Sequence, residues 1–362
     1  MIKTALTDMF GIEYPILLAG MGHTALPHMV AAVSNAGGLG VLGAGSTPPD
    51  EVRRQIREVR TLTDRPFGIN APLALPNGKE NAVVGLEEEV PYINYSMGKG
   101  DWIVKAAHHY GGKVSASVTS VKLALSAQKQ GADAVVATGY EAAGHSGDVG
   151  TFVLIPRLAE VLDIPVIAAG GCATGGQLAA LIAMGGAGVS MGTRFVTTQE
   201  SPWHQNFKDL AVGYDIHDTV ISDKFDGIPL RKLASERALQ IVNSRLNPFR
   251  SFLDSFEVAR EVDIPYPKLF WDVIRKGPAE TIKMMRMAQM LGEQKYGFAG
   301  DTRRAAVGGG QSVGLVHDLP TIAEVMKQIV AETHEAQSRL AGAVGGAVDV
   351  DTARRKSAAP AA

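Results

Sequence analysis

Short apolar runs recur along the first 200 residues and alternate with stretches whose polar and apolar positions have helical spacing. Most of these runs begin just after or at a proline or glycine, and several, such as residues 134–137 and 165–169, are apolar on both faces, as expected for parallel strands that helices cover. This rhythm predicts repeated strand-helix units. We expect strands to begin near Pro15, Gly38, Pro66, Pro91, Lys113, Asp133, Pro165 and Gly188.

Eight such units favour an α/β fold of the (β/α)8 TIM barrel type, although an open doubly wound sheet has the same local rhythm. After Phe195 the pattern changes, and we interpret residues 201–299 as a mostly helical insertion, or lid, after strand 8, including a helix-like run at 278–291. Residues 1–200 and 300–340 then form the barrel, and an amphipathic helix is predicted at 319–340. Residues 341–362, rich in Ala and Gly, are predicted to be a flexible tail.

Composition narrows the classes of protein. The 362 residues are 46% hydrophobic and carry a formal net charge of −2, which gives no basic excess of the kind that nucleic acid attracts. Cys172 is the one cysteine, so an internal disulfide is excluded and a reducing compartment is favoured. Without a leader or a long apolar run, we expect a cytoplasmic protein with no membrane partner.

Two glycine-rich loops follow the predicted seventh and eighth strands, in the strings AAGGCATG (168–175) and VSMGTRF (189–195). Glycines let backbone amides approach an anion at the start of a helix, and loops after strands 7 and 8 form the phosphate site of many (β/α)8 proteins. The alternative is that both clusters are only tight turns between a strand and a helix.

A third loop, TGYEAAGHSG (138–147), follows the sixth strand and places His145 between small residues on the face where barrel enzymes keep their active sites. His145 is therefore a candidate base or anion partner, although a single loop histidine is often only a surface residue. Glu141 could orient the loop or the imidazole, or it could cap the following turn. The nine histidines show none of the spacings typical of a metal site.

These three loops, together with AVSNAGGLG (32–40), resemble the nitronate monooxygenase (2-nitropropane dioxygenase) family of FMN enzymes, in the same order from about residue 7 to residue 317. The string FDGIP (225–229) also looks similar to that family. The resemblance implies that FMN is the cofactor and that His145 is the catalytic base or the partner of the substrate anion. The positions that it implies for cofactor binding are Gly20, Met21, Asn70, Gly150, Gly170, Gly171, Gly192, Thr193, Gln311 and Ser312.

The function that the resemblance implies is the oxidation of a small anionic substrate, a nitronate or its parent nitroalkane, by O2 to a carbonyl compound and nitrite. Two alternatives remain open: an NAD(P)H-dependent FMN reductase of quinones or enoyl thioesters, and a non-catalytic flavin-binding barrel. Some relatives that reduce quinones carry a lysine near the end of the fifth strand, where this chain reads VSASVT (114–119). The chain could assemble as a homodimer. The aromatic residues of the insertion could line the pocket lid, form a dimer contact, or pack in the core beneath the lid; they are Trp203, Phe207, Phe252, Phe256, Phe270 and Trp271.

Overall fold

The computed structural model describes residues 2–244 and 293–344 continuously, and single positions or short runs between 256 and 290. Eight parallel strands form its central sheet, and each begins within two residues of its predicted start. The strands are β1 (Ile16–Leu18), β2 (Gly40–Gly43), β3 (Phe67–Pro72), β4 (Tyr92–Ser96), β5 (Lys113–Val118), β6 (Ala134–Thr138), β7 (Val166–Ala169) and β8 (Gly188–Met191).

The sheet closes into a barrel. Neighbouring strands pair in parallel in chain order from β2 to β8, and β8 pairs with β1. The last seam, between β1 and the start of β2, is made by a parallel bridge of Leu17 with Leu39, in which the Leu18 amide donates to the Leu39 carbonyl at 3.0 Å. The prediction of a (β/α)8 barrel is therefore confirmed, and the open sheet is excluded.

The barrel helices lie outside the strands because their apolar faces cover the outer surface of the sheet. They are α2 (Pro27–Asn35), α3 (Pro49–Leu62), α4 (Gly78–Glu87), α5 (Asp101–His108), α6 (Val121–Lys129), α7 (Thr151–Val161) and α8 (Gly175–Ala183). The first helix, α1 (Ala5–Phe10), instead packs Leu6 and Phe10 against the apolar residues inside the barrel, and the short α9 (Thr193–Val196) follows β8. Among the helices that the structure describes, none combines the length and apolar character needed to cross a bilayer.

The last described helix, α13 (Ile322–Val344), completes the outer ring against α8. The Gly175 amide donates to the Glu332 carboxylate at 2.7 Å, and a Cβ at Gly175 would lie 2.0 Å from the Ile329 carbonyl oxygen. The helix starts three residues later than predicted because Pro320 precedes its cap, where Thr321 and Glu324 exchange side-chain hydrogen bonds with each other's amides.

The insertion is less uniformly helical than expected. It contains α10 (Gln205–Val212), α11 (Glu236–Asn243) and α12 (Gln294–Phe298), but also an antiparallel hairpin of β9 (Thr219–Ser222) and β10 (Leu230–Leu233) that the sequence pattern did not predict. Both strands are four residues long and β9 is half-buried throughout, so neither gives an alternating pattern.

Some sequence predictions fall wholly or partly outside the described residues. Phe252, Phe270, most of the 278–291 run and the tail beyond 344 do so, although Thr281, Ile282 and Lys283 within that run are helical. Of the remaining insertion aromatics, Phe207 is buried, Trp203 is partly buried, and Phe256 and Trp271 are exposed.

Candidate functional site

A cavity of about 800 Å³ opens at the carboxyl ends of the barrel strands, with the insertion on its other side. This is the end at which barrel enzymes carry their active sites, because the strand-to-helix loops converge there. Of the predicted site residues, the cavity wall includes Gly20, Met21, Asn70, His145, Gly170, Gly171, Gly192, Thr193 and Ser312.

The loop after β7 contains two consecutive glycines in a backbone conformation that other residues rarely adopt. Gly170 and Gly171 both have positive φ, +96° and +72°, and a Cβ at Gly170 would lie 2.8 Å from the Ala142 side chain. Thr174 then caps α8 with a reciprocal pair of hydrogen bonds to Gln177. The amides of residues 173–175 already donate to the side chains of Gln177 and Glu332, so an anion in this loop would be met by the amides of the glycine segment that precedes them.

The loop after β8 reaches the same cavity and is tied to the glycine-rich segment at 308–310. Gly192 precedes α9, and the Thr193 hydroxyl accepts a hydrogen bond of 3.0 Å from the Gly310 amide. Gly310 itself lies so close to the His145 loop that a Cβ there would be 2.8 Å from the Glu141 carbonyl oxygen. Two phosphate-type loops and their cover are thus brought together around one space.

Asn70, at the end of β3, presents an unsatisfied acceptor in the cavity wall. Its Nδ2 donates to the Gly20 carbonyl at 2.8 Å, which fixes the orientation of the amide. Its Oδ1 is buried and has no hydrogen-bond partner among the described residues. A Cβ at Gly20 would lie 2.3 Å from the Cβ of Asn70, so only glycine permits this approach. The arrangement suits a planar ligand that carries an N–H donor.

The barrel interior at the cavity contains a polar cluster from β4 and β5 that the sequence analysis missed. The Ser115 hydroxyl meets the Tyr92 hydroxyl at 2.6 Å and the Asn94 Nδ2 at 2.7 Å, while Ser117 donates to the Asn94 Oδ1 at 2.9 Å. Burial raises the pKa of Tyr92 well above its usual range, so the phenol stays neutral. The alternation of Ser115 and Ser117 along β5 was the available signal, because alternate strand residues face the same side.

His145 is held by a carboxylate from the insertion. Its Nε2 lies 2.7 Å from Oδ2 of Asp226, whose residue is 2% exposed and whose Oδ1 accepts from the Ile228 amide at 3.1 Å. Because a carboxylate accepts, Nε2 carries the proton in this pair, which leaves Nδ1 as the nitrogen that can take up a further proton. Sequence analysis did not find Asp226 as a site residue.

The hairpin fastens the histidine loop beside this pair. The Gly144 amide donates to the Arg231 carbonyl at 3.1 Å, and the Arg231 amide donates back to the Gly144 carbonyl at 2.9 Å. The Arg231 guanidinium also donates to the Tyr140 carbonyl and lies over the Tyr140 ring at 4.7 Å. The insertion therefore positions His145 through its backbone neighbour as well as through its side chain.

Glu141 caps the helix that follows rather than contacting the imidazole. Both of its oxygens accept from the Thr151 amide, at 3.1 and 2.9 Å, and one also accepts from the Thr151 hydroxyl. Of the two roles left open for Glu141, the structure supports the cap.

Two predicted cofactor positions lie outside the cavity wall. Gly150 is the N-cap residue of α7, where a Cβ would face the Glu141 carboxylate at 3.4 Å. Gln311 begins a short 3₁₀ helix (Gln311–Leu315), and its amide donates to the Glu141 carbonyl at 2.9 Å. Both residues support the loop that carries His145, and cofactor contact by either one stays a prediction.

Lys232, on β10, places a cation in the cavity wall that the sequence analysis did not identify. The residue is 8% exposed, and its Nζ donates to the Ala306 carbonyl at 2.8 Å and lies 5.2 Å from the Phe225 ring centroid. Burial lowers the pKa of Lys232 to about 8, against the opposing effects of the Glu293 and Asp226 carboxylates. The fifth strand has no lysine near its end, but the insertion supplies one to the cavity wall.

Comparison with known proteins matches this chain to one family model, to curated relatives and to solved structures. The family model described as nitronate monooxygenase matches residues 3–100 and 82–332. A CoA-thioester dehydrogenase from Rhodococcus jostii (strain RHA1) is 33% identical over 91% of this chain and 96% of its own. Its name gives the thioester as (3aS,4S,5R,7aS)-5-hydroxy-7a-methyl-1-oxo-octahydro-1H-indene-4-carboxyl-CoA.

A probable nitronate monooxygenase from Staphylococcus aureus (strain MSSA476) is 35% identical over 62% of this chain and 76% of its own. Among solved structures, FabK from Thermotoga maritima is similar with a TM-score of 0.79 and 34% identity, covering 94% of this chain and 99% of FabK.

Proposed function

The chain belongs to the nitronate monooxygenase family and is a flavin-dependent oxidoreductase, and from that premise we propose that it uses FMN to oxidise nitronates and nitroalkanes. The products are a carbonyl compound and nitrite. Two nitronate anions and one O2 give two carbonyl molecules and two nitrite anions, so atoms and charge balance without another reductant. The His145–Asp226 pair at the cavity wall is the observation that carries the proposal.

The choice of FMN is supported by the phosphate-type loops and by Asn70. The Gly170–Gly171 and Gly192–Thr193 backbones face one cavity, which suits a single terminal phosphate, and the unpartnered Oδ1 of Asn70 suits the N–H edge of the flavin ring. When bound, FMN accepts the electrons of the substrate and passes them to O2.

His145 supplies the proton chemistry. With Nε2 engaged by Asp226, Nδ1 of a neutral imidazole can take the acidic α-proton of a nitroalkane, and the resulting imidazolium is stabilised by the buried carboxylate. A well-placed base contributes about 100-fold to 10,000-fold to such a step. A nitronate already lacks this proton, so the doubly protonated imidazolium then donates a hydrogen bond to its oxygens through Nδ1.

The test is an aerobic assay of nitrite release and O2 uptake with propane-2-nitronate and with the neutral 2-nitropropane. We expect two nitrite ions per O2, and a greater loss for 2-nitropropane than for the nitronate in His145→Ala. His108→Ala is the matched control, because His108 also pairs with an aspartate, Asp133, at 2.9 Å but lies outside the cavity wall. Absence of nitrite from the flavin-loaded wild type would refute the proposal.

A second candidate is redox chemistry on a CoA thioester, which the similarity to the Rhodococcus dehydrogenase favours because it extends over nearly both whole chains. The acidic position of a thioester, like that of a nitroalkane, is a C–H beside an electron-withdrawing group, so the same base could serve it. Anaerobic mixing discriminates between the two functions. Flavin reduction by NADH or NADPH, followed by reoxidation with an enoyl-CoA, supports the second candidate, whereas bleaching by nitronate alone supports the first.

A further inference from the structure

The buried ammonium of Lys232 makes two described contacts with the protein, a hydrogen bond to the Ala306 carbonyl and a cation–π contact with the Phe225 ring. Among the described residues its hydrogen-bond acceptor is the Ala306 carbonyl, and the two segments are already joined by the Leu233 amide, which donates to the Val307 carbonyl at 3.1 Å. An ammonium has three N–H donors, so at least one remains directed away from this contact. Lys232 also lines the cavity.

The carboxylates around Lys232 are engaged elsewhere. Arg237 donates from Nε, at 3.1 Å, and from Nη2 to one oxygen of Glu293, Oε1, and Asp226 accepts from His145 and the Ile228 amide. Neither carboxylate forms a direct hydrogen bond to Nζ of Lys232 among the described contacts. The cation is therefore only partly compensated, which favours a complementary anion in the cavity.

The hairpin also places Lys232 next to the histidine. Arg231, its neighbour in β10, forms the antiparallel bridge with Gly144, which directly precedes His145. Asp226 is close enough to raise the pKa of Lys232 and is bonded to His145. The ammonium and the imidazole both line the cavity, and Asp226 lies near each of them.

We propose that Lys232 binds the anionic oxygen atoms of the substrate and gives the site its preference for anions. This inference rests on the proposed function for the identity of that anion, a nitronate. The ammonium and the protonated His145 both bind the charged oxygens of the nitronate, so the hairpin supplies both the carboxylate that positions His145 and the cation that recognises the anion.

The experiment compares anion binding with and without the charge. The flavin-loaded wild type, Lys232→Met, Lys232→Gln and Lys232→Arg are titrated with nitrate, a planar oxyanion, while the visible flavin spectrum reports binding. Losing a hydrogen bond to a charged group predicts that Kd for nitrate rises about 10-fold to 100-fold in the Met and Gln variants, with Arg restoring part of the affinity.

Lys208→Met is the matched control. Lys208 is also a buried lysine whose Nζ donates to a backbone carbonyl, that of Gln199 at 3.1 Å, but it lies outside the cavity wall. We expect its nitrate affinity to equal that of the wild type. Retention of stoichiometric flavin establishes that each variant is folded, and the Gln variant decides the result if the Met variant loses flavin.

Kinetics separate recognition from a structural role. The Lys232→Met substitution is expected to raise KM for propane-2-nitronate more than KM for neutral 2-nitropropane, whereas a general distortion would affect both alike. Unchanged nitrate affinity in the Met and Gln variants, or no nitrate binding by the wild type, would overturn the anion site. Failure of the wild type to release nitrite would refute the proposed function instead, and the nitrate titration would still decide the role of Lys232.

Discussion

Replacing Lys232 by methionine should make the folded protein more stable at neutral pH. The ammonium is buried, and its desolvation lowers the pKa of Lys232 from the ordinary 10.5 to about 8. A folded state that disfavours the charged form must tolerate that charge below pH 8, where the lysine is protonated in both the folded and the unfolded chain. Methionine has a similar length and carries no charge.

The magnitude follows from the displacement of the pKa. A fall from 10.5 to about 8 corresponds to about 3 kcal/mol of unfolding free energy, at 1.36 kcal/mol for each pKa unit. This cost is fully present below pH 8. It disappears as pH rises to 10.5, because the unfolded chain binds more protons than the folded one within that window and stability therefore increases with pH.

Urea unfolding of flavin-saturated wild type and Lys232→Met, at intervals from pH 7 to pH 10.5, measures the effect. The packing change adds a constant to the difference in unfolding free energy between variant and wild type at every pH. The titration of buried tyrosines whose pKa is raised, such as Tyr95, is common to both proteins and cancels from that difference. The stability advantage of the variant should shrink by about 3 kcal/mol across the range. A difference that stays constant with pH would show that the ammonium is solvated and would refute the reasoning.

Three further outcomes are expected. Gly170→Ala should lower the unfolding free energy by about 1–3 kcal/mol and reduce the amount of flavin retained, because φ is +96° and the new Cβ would lie 2.8 Å from Ala142. An FMN content equal to that of the wild type after gel filtration would contradict this. Asp226→Asn should reduce kcat/KM for 2-nitropropane about 10-fold to 100-fold with an unchanged flavin spectrum, while Asp133→Asn should have no effect. Burial and the nearby Glu141 carboxylate raise the pKa of Cys172 to about 12, so its reaction with a disulfide reagent at pH 8 should be slow until urea is added, and a fast native reaction would disprove its burial.

The barrel was predictable from sequence because its strands are strongly patterned. Runs such as Val166–Ala169 are buried on both sides, and a proline or glycine precedes or begins most of them. The sequence therefore indicated both where the strands begin and that they run parallel. The glycine-containing loops after β7 and β8 were recognisable for a related reason, since glycines at a strand end have a conformational purpose that few other residues can serve, and phosphate binding by these loops stays a prediction.

The contribution of the insertion was not predictable in this way. Asp226 lies 81 residues from His145 along the chain, and only the folded hairpin brings the two together. Lys232 is found in a four-residue strand that has no alternating pattern, so neither its burial nor its cavity position could be read from its neighbours. Long-range contacts of this kind depend on tertiary packing, which local propensity does not encode.

The most direct test of the account is anaerobic mixing of the flavin-loaded protein with propane-2-nitronate, observed through the visible flavin band. The His145–Asp226 cavity predicts rapid loss of that band on mixing, its return when O2 is admitted, and nitrite in the solution. A band that persists with nitronate but disappears with NADH or NADPH would contradict the proposed reaction.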